Sequence, residues 1–183
     1  QEYLGEFTEN LRQLFPDRLI RELMVLERQA FNPKYPHFLG VDVARMGGDE
    51  CTFEVVRKIG ENSFEHVENY VTENILIPDT INTIIDMDGK YDFQKIYIDT
   101  GGMGVAVFDF LLRNSQTRRK VVAIDNAQRP IEIHKRDKLG KPHGRRRELM
   151  KEHLYMNLKR LMEQGHIKLL KDENIFFSLK SVQ

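Results

Sequence analysis

The sequence has one cysteine, Cys51. A single thiol excludes an internal disulfide and a cysteine-rich zinc site, and makes a reducing compartment the expected setting. No apolar run approaches the roughly 18 residues of a membrane span, so no membrane partner is expected. The opening QEYLGEFTEN has neither the basic start nor the apolar middle of a signal peptide. No GxxxxGK motif followed by Ser or Thr occurs, so ATP hydrolysis through a P-loop is not expected. There is no internal repeat, no low-complexity tract and no net charge, since 28 Lys and Arg balance 28 Asp and Glu.

What is present is one domain's worth of chain: 183 residues, 40% hydrophobic and 31% charged, enough to bury a core under a polar surface. The zero net charge conceals an asymmetry. Residues 1–112 carry 10 Lys and Arg against 20 Asp and Glu, whereas residues 113–147 carry 12 against 3. A basic segment following an acidic half suits a protein that binds polyanions beside a cation site; the plain alternative is a solvated charged loop.

Leu11, Leu14, Phe15, Leu19, Leu23 and Leu26 recur at helical spacing. Pro16 splits this stretch, so a short helix and a second one from about Asp17 are expected. Asn32 to Pro36 holds two prolines and reads as a linker. Residues 1–36 are therefore expected to be a helical lead-in to a core domain spanning 37–183. There, Phe38–Val43, Cys51–Ile59, Ser63–Val71, Phe93–Ile98, Lys120–Ile124 and Ile167–Leu170 read as strands. Helices are expected from Pro78 to Met87 with a stop at Gly89, from Met103 to Arg113, from Arg147 to Gln164 and from Asn174. Residues 126–146 read as a basic loop or a hairpin. Strands that begin as a meander and then alternate with helices predict an α/β fold: a mixed central sheet flanked by helices, in ribonuclease H-like order.

Two acids stand at matching places in this order. Asp42 ends the apolar strand in HFLGVDVARMGG, and Asp99 ends the apolar strand in KIYIDTGGMG. A carboxylate among apolar neighbours is unfavourable unless it is paired or binds metal. Hard oxygen donors suit Mg²⁺ or Mn²⁺. Two ions about 4 Å apart would polarise a phosphodiester, supply hydroxide and neutralise the leaving oxygen. Alternatively, each Asp simply caps the turn that follows it. Asp49 either caps its turn or reaches a second ion, and Asp125 either serves a turn or points to the same site. Asp86 and Asp88 are expected to face solvent. The phosphate-binding candidates are Arg118, Arg119, Lys120, Lys135, Arg136, Arg145, Arg146 and Arg147. Nothing resembles a base-reading module, so little sequence preference is expected.

FLGVDVARMGGDECTF and KIYIDTGGMGVAVFDFL resemble the C-terminal nuclease domain of the large terminase subunit of tailed bacteriophages. QEYLGEF is similar to the segment joining that subunit's ATPase domain to its nuclease. RRRELMKEHLYMNLKRLMEQGHIKLL resembles the helix and strand after the basic loop. The resemblance implies a metal-dependent endonuclease that cuts concatemeric double-stranded viral DNA in the cytoplasm of the infected host. The implied partners are the upstream ATPase domain, the portal and the small terminase subunit. Asp42 and Asp99 match the family's first two metal-binding acids. The third is expected downstream of the helix near Asn174, past Gln183.

Two other readings stay open at this stage. Sugar kinases and actin-like ATPases also place an Asp after a first strand, and IDTGGMG could cradle phosphate through backbone amides. A non-catalytic module docking DNA or a partner protein would need only the basic segment.

Overall fold

The computed structural model describes residues 13–44, 50–125, 131–136, 142–148 and 150–182, with 131–136 and 142–148 described as backbone. The chain runs α1 (Asp17–Leu23), β1 (Met24–Leu26), β2 (His37–Asp42), β3 (Glu50–Lys58), β4 (Phe64–Glu73), α2 (Ile77–Tyr91), β5 (Lys95–Asp99), α3 (Gly104–Arg113) and β6 (Val121–Ile124). It continues through β7 (Ile131–Arg136), β8 (Pro142–Glu148), α4 (Met150–Glu163), β9 (Ile167–Leu170) and α5 (Glu173–Lys180).

Seven strands form one sheet in the order β1-β9-β4-β3-β2-β5-β6. β3 runs antiparallel to β2 and β4, while β5 is parallel to β2 and β6 is parallel to β5. The carboxyl ends of β2, β5 and β6 therefore share one edge, the edge at which open α/β sheets present ligand sites. β7 and β8 pair antiparallel as a separate hairpin, so the basic segment takes the hairpin form of its two expected forms.

Two apolar clusters cover the sheet. Leu39, Val41, Phe53, Val55, Ile96 and Ile98 pack against Ile81 and Ile84 of α2 and Val107 and Leu111 of α3. Phe15, Ile20, Met162, Ile167, Leu169 and Phe176 form the second cluster, between α1, α4, α5 and β9. The period-two alternation of β2 and β5 decides which residues join the first cluster and which are left for the other face.

Several expectations are corrected. Residues 24–26 are a strand, not the end of a helix: Met24 and Leu26 pair in parallel with Leu169 and Leu170, and strand pairing overrides helical spacing. The lead-in thus contributes a strand to the sheet, and its Phe15 and Ile20 are fully buried. α2 does not stop at Gly89 but reaches Tyr91, and Asp92 at φ 44° ends it. Tyr91 is 1% exposed and stacks on Phe93 at 5.6 Å, which outweighs the roughly 1 kcal/mol a helical glycine costs. α4 begins at Met150, because β8 extends to Glu148. In α3, Leu111 is buried while the adjoining Leu112 is exposed. Asp88, expected in solvent, is 2% exposed; it accepts from the Phe93 backbone N–H at 3.1 Å and from Lys120 Nζ at 2.9 and 3.0 Å.

Candidate metal centre

β2 alternates between a buried face, with Leu39 and Val41, and an opposite face, with Gly40 and Asp42. β5 does the same: Ile96 and Ile98 are fully buried, while Tyr97 and Asp99 are on the other side. The two strands pair in parallel from Phe38–Lys95 to Val41–Ile98, so the next positions in register are Asp42 and Asp99. Both line one open cleft of about 240 Å³, together with Gly40, Thr52, Glu54, Tyr97, Ile124 and Leu154 of α4. The sheet thus places two carboxylates side by side, on the face away from the larger core.

The Gly-rich loop fixes Asp99. The Gly101 N–H donates to Asp99 Oδ1 at 2.9 Å, the Asx turn that lets an Asp hold the chain just after it. Gly102 sits at φ 57°, where a side chain would be strained. The capping reading of Asp99 therefore holds, and the cap fixes the orientation of the carboxyl group at the cleft. The Gly101 amide, which a phosphate cradle would need, is occupied by Asp99.

Asp42 lies at the exposed strand end, but its carboxyl pKa is raised. Desolvation is the first cause and the negative charge of Asp99 the second; the Lys151 ammonium opposes both. The negative charges of the two neighbouring side chains favour a cation between them. Oxygen donors at the mouth of an open cleft fit Mg²⁺ or Mn²⁺, which take one or two carboxylates and keep waters for a phosphate to displace. Among the described residues, no group of three His, Cys, Asp or Glu forms a closed metal cage.

The other candidates are distributed as follows. Asp49 lies outside the described residues. Asp125 follows Ile124, which pairs with Asp99, so it stands at the same sheet edge. Arg118, Arg119 and Lys120 precede β6, whose first residue Val121 pairs with Ile96; they are at the far end of the strand from Asp99. Lys120 Nζ binds Asp88 and also Asp92 Oδ1, at 2.8 Å. The structure does not bring these three cations to the carboxylates. Lys135 and Arg136 are on β7 and Arg145, Arg146 and Arg147 on β8, with His134 opposite Arg145 and Glu132 opposite Arg147.

Glu54 was not among the sequence candidates, yet it lines the cleft. Its signal was the alternation of β3, which puts Thr52 and Glu54 on the face opposite Cys51, Phe53 and Val55. The hairpin register that sets Glu54 across from Gly40 was not legible from spacing alone.

Comparison with known proteins adds the fold. No family model and no characterised protein matches the sequence. Among solved structures, the large terminase nuclease of thermophilic phage G20c with bound magnesium superimposes with a TM-score of 0.66 at 16% identity, over 92% of this chain and 79% of that one. The nuclease domain of the large terminase subunit of bacterial virus Sf6, crystallised with manganese and β-thujaplicinol, gives 0.64 at 10% identity, over 93% and 82%. The large terminase from the thermophilic bacteriophage D6E gives 0.58 at 13% identity, over 94% of this chain and 36% of that one. The fold is the ribonuclease H-like α/β fold of large terminase nuclease domains.

Proposed function

We propose that this domain is a divalent-metal-dependent endonuclease that cuts double-stranded viral DNA during genome packaging. The observation that carries the proposal is the register of β2 and β5, which sets Asp42 beside Asp99 in one open cleft. The fold likeness to terminase nucleases, two of them crystallised with magnesium or manganese, supports it.

Asp42 and Asp99 would hold Mg²⁺ or Mn²⁺, two ions in the complete site. When bound, the metal polarises the scissile phosphate, lowers the pKa of a water and neutralises the leaving oxygen. The chain's own residues supply placement. The Gly101 amide locks Asp99, the β2–β3 and β2–β5 ladders fix Asp42, and the proximity of the two carboxylates concentrates negative charge that a cation would neutralise. Lys151, whose charge acts on Asp42, adds positive potential where a phosphate would enter. The cleft is open, as a duplex backbone requires.

Phosphates would be held by the basic hairpin, through Lys135, Arg136, Arg145, Arg146 and Arg147, with little base preference. The whole machine would also include an ATPase domain, the portal and the small terminase subunit, and would act in the cytoplasm of the infected host.

The test is nicking of supercoiled plasmid with Mn²⁺ or Mg²⁺. The wild-type chain should nick only with the ion present, and D42N and D99N should each abolish nicking. Nicking by D42N at the wild-type rate would overturn the proposal.

A further inference from the structure

The β3–β4 ladder contains an irregularity beside the cleft. Val55 pairs with Glu68, but Val56 pairs with His66, so β4 has an extra residue, Val67. In a regular strand, His66 and Asn69 would face opposite sides of the sheet. A one-residue bulge reverses the alternation, and bulges are a recurrent means of re-aiming side chains near sites. Here it turns both residues toward Glu54. Asn69 Nδ2 donates to Glu54 Oε1 at 2.7 Å, and His66 Nε2 stands 2.7 Å from Glu54 Oε2. The same His66 nitrogen is 3.0 Å from the Glu68 carbonyl oxygen, and the residue is 6% exposed, so its ring is held in place.

The position opposite Glu54 on β2 is Gly40. Its backbone does not require glycine, because a Cβ there would meet nothing nearer than the Glu54 carbonyl oxygen at 4.0 Å. The missing side chain leaves the cleft floor open between Glu54 and the Asp42–Asp99 pair. Three carboxylates thus line one cleft, although the described residues contain no three that close on a single ion.

From this arrangement we infer that Glu54 is a positioning residue for the metal's water shell: held by Asn69 and flanked by His66, it accepts hydrogen bonds from waters on an ion bound by Asp42 and Asp99. This rests on the metal reading above. Mg²⁺ and Mn²⁺ retain waters when few protein ligands reach them, and those waters need acceptors. A carboxylate beyond direct reach but in the same cleft provides one. Freed from Asn69, Glu54 would lose its orientation, so the two residues act as one unit.

Isothermal titration of the full chain with Mn²⁺ tests this without any DNA. E54A should bind about tenfold more weakly than wild type. N69A should weaken binding less, and should add nothing in an E54A background. E54Q, isosteric and uncharged, serves if E54A does not melt cooperatively, and should weaken binding severalfold. Wild-type Mn²⁺ affinity in the folded Glu54 variants, with D42N unable to bind, would overturn the role of Glu54 and leave the metal centre intact. Wild-type affinity in D42N would overturn both.

Discussion

The carbonyl oxygen of Asp99 leaves Gly104 no room for a side chain: a Cβ built there would stand 1.7 Å from it. The first residue of α3 closes directly on the strand that ends in the catalytic candidate. The last glycine of TGGMG is thus one that packing alone makes irreplaceable, and it ties the helix start to the end of β5.

G104A should therefore force α3 away from β5. Overpacking against backbone has no flexible side chain to absorb it, so a loss of about 3 kcal/mol is expected. At roughly 2–4 °C per kcal/mol for a domain of this size, that is a fall of about 6–12 °C in Tm. Thermal melting reads the stability, and Mn²⁺ titration should show weakened binding as Asp99 moves. Wild-type melting of G104A would contradict this packing.

Asp42 makes a prediction of opposite sign. Its raised pKa means that the folded state holds the proton more tightly than the unfolded chain. Its contribution to stability is then greatest at low pH and declines as pH rises from the ordinary carboxylate value through the raised one. D42N, which cannot ionise, should melt slightly above wild type at neutral pH without metal, and should lose the stabilisation that Mn²⁺ gives wild type. Metal binding should weaken in acid, as protons compete for the same carboxylate.

His37 responds to acid differently. It is 1% exposed and lies 5.1 Å from the Phe31 ring and 5.8 Å from the Tyr91 ring. Burial, reinforced by the charge of Arg57, lowers its pKa despite a contribution from the Tyr35 backbone. A His held neutral stabilises fully above its unfolded pKa, and that stability is lost as pH falls below about 6.5. H37F should flatten this acid limb in melts across the range; an unchanged limb would place the sensitivity elsewhere.

Lys120 and the hairpin arginines separate a structural cation from proposed phosphate contacts. Lys120 neutralises a buried Asp88, so K120M should destabilise the fold by about 3 kcal/mol and leave the salt dependence of DNA binding unchanged. R145A/R146A/R147A should flatten that dependence, because each lost phosphate contact reduces the slope by about one. A flattened slope in K120M would return Lys120 to the DNA-binding set.

Much of this arrangement was legible in the residues. The apolar runs ending in Asp42 and Asp99 predicted two strands with matched acids, and the order of elements predicted a mixed sheet. Local spacing did not reveal what depends on pairing between distant segments. Met24 to Leu26 became a strand because β9 offered it an edge. Asp88 was buried because Lys120, distant in sequence, arrived to pair with it. Glu54 joined the cleft through a hairpin register and a bulge, neither of which leaves a mark on composition.

The most direct test of the shared metal site is a crystal of this chain soaked in Mn²⁺, with anomalous scattering recorded at the manganese edge. The account predicts a peak between the carboxylates of Asp42 and Asp99, contacted by both. Manganese bound elsewhere, or a fully soaked crystal with no peak between those two side chains, would contradict it.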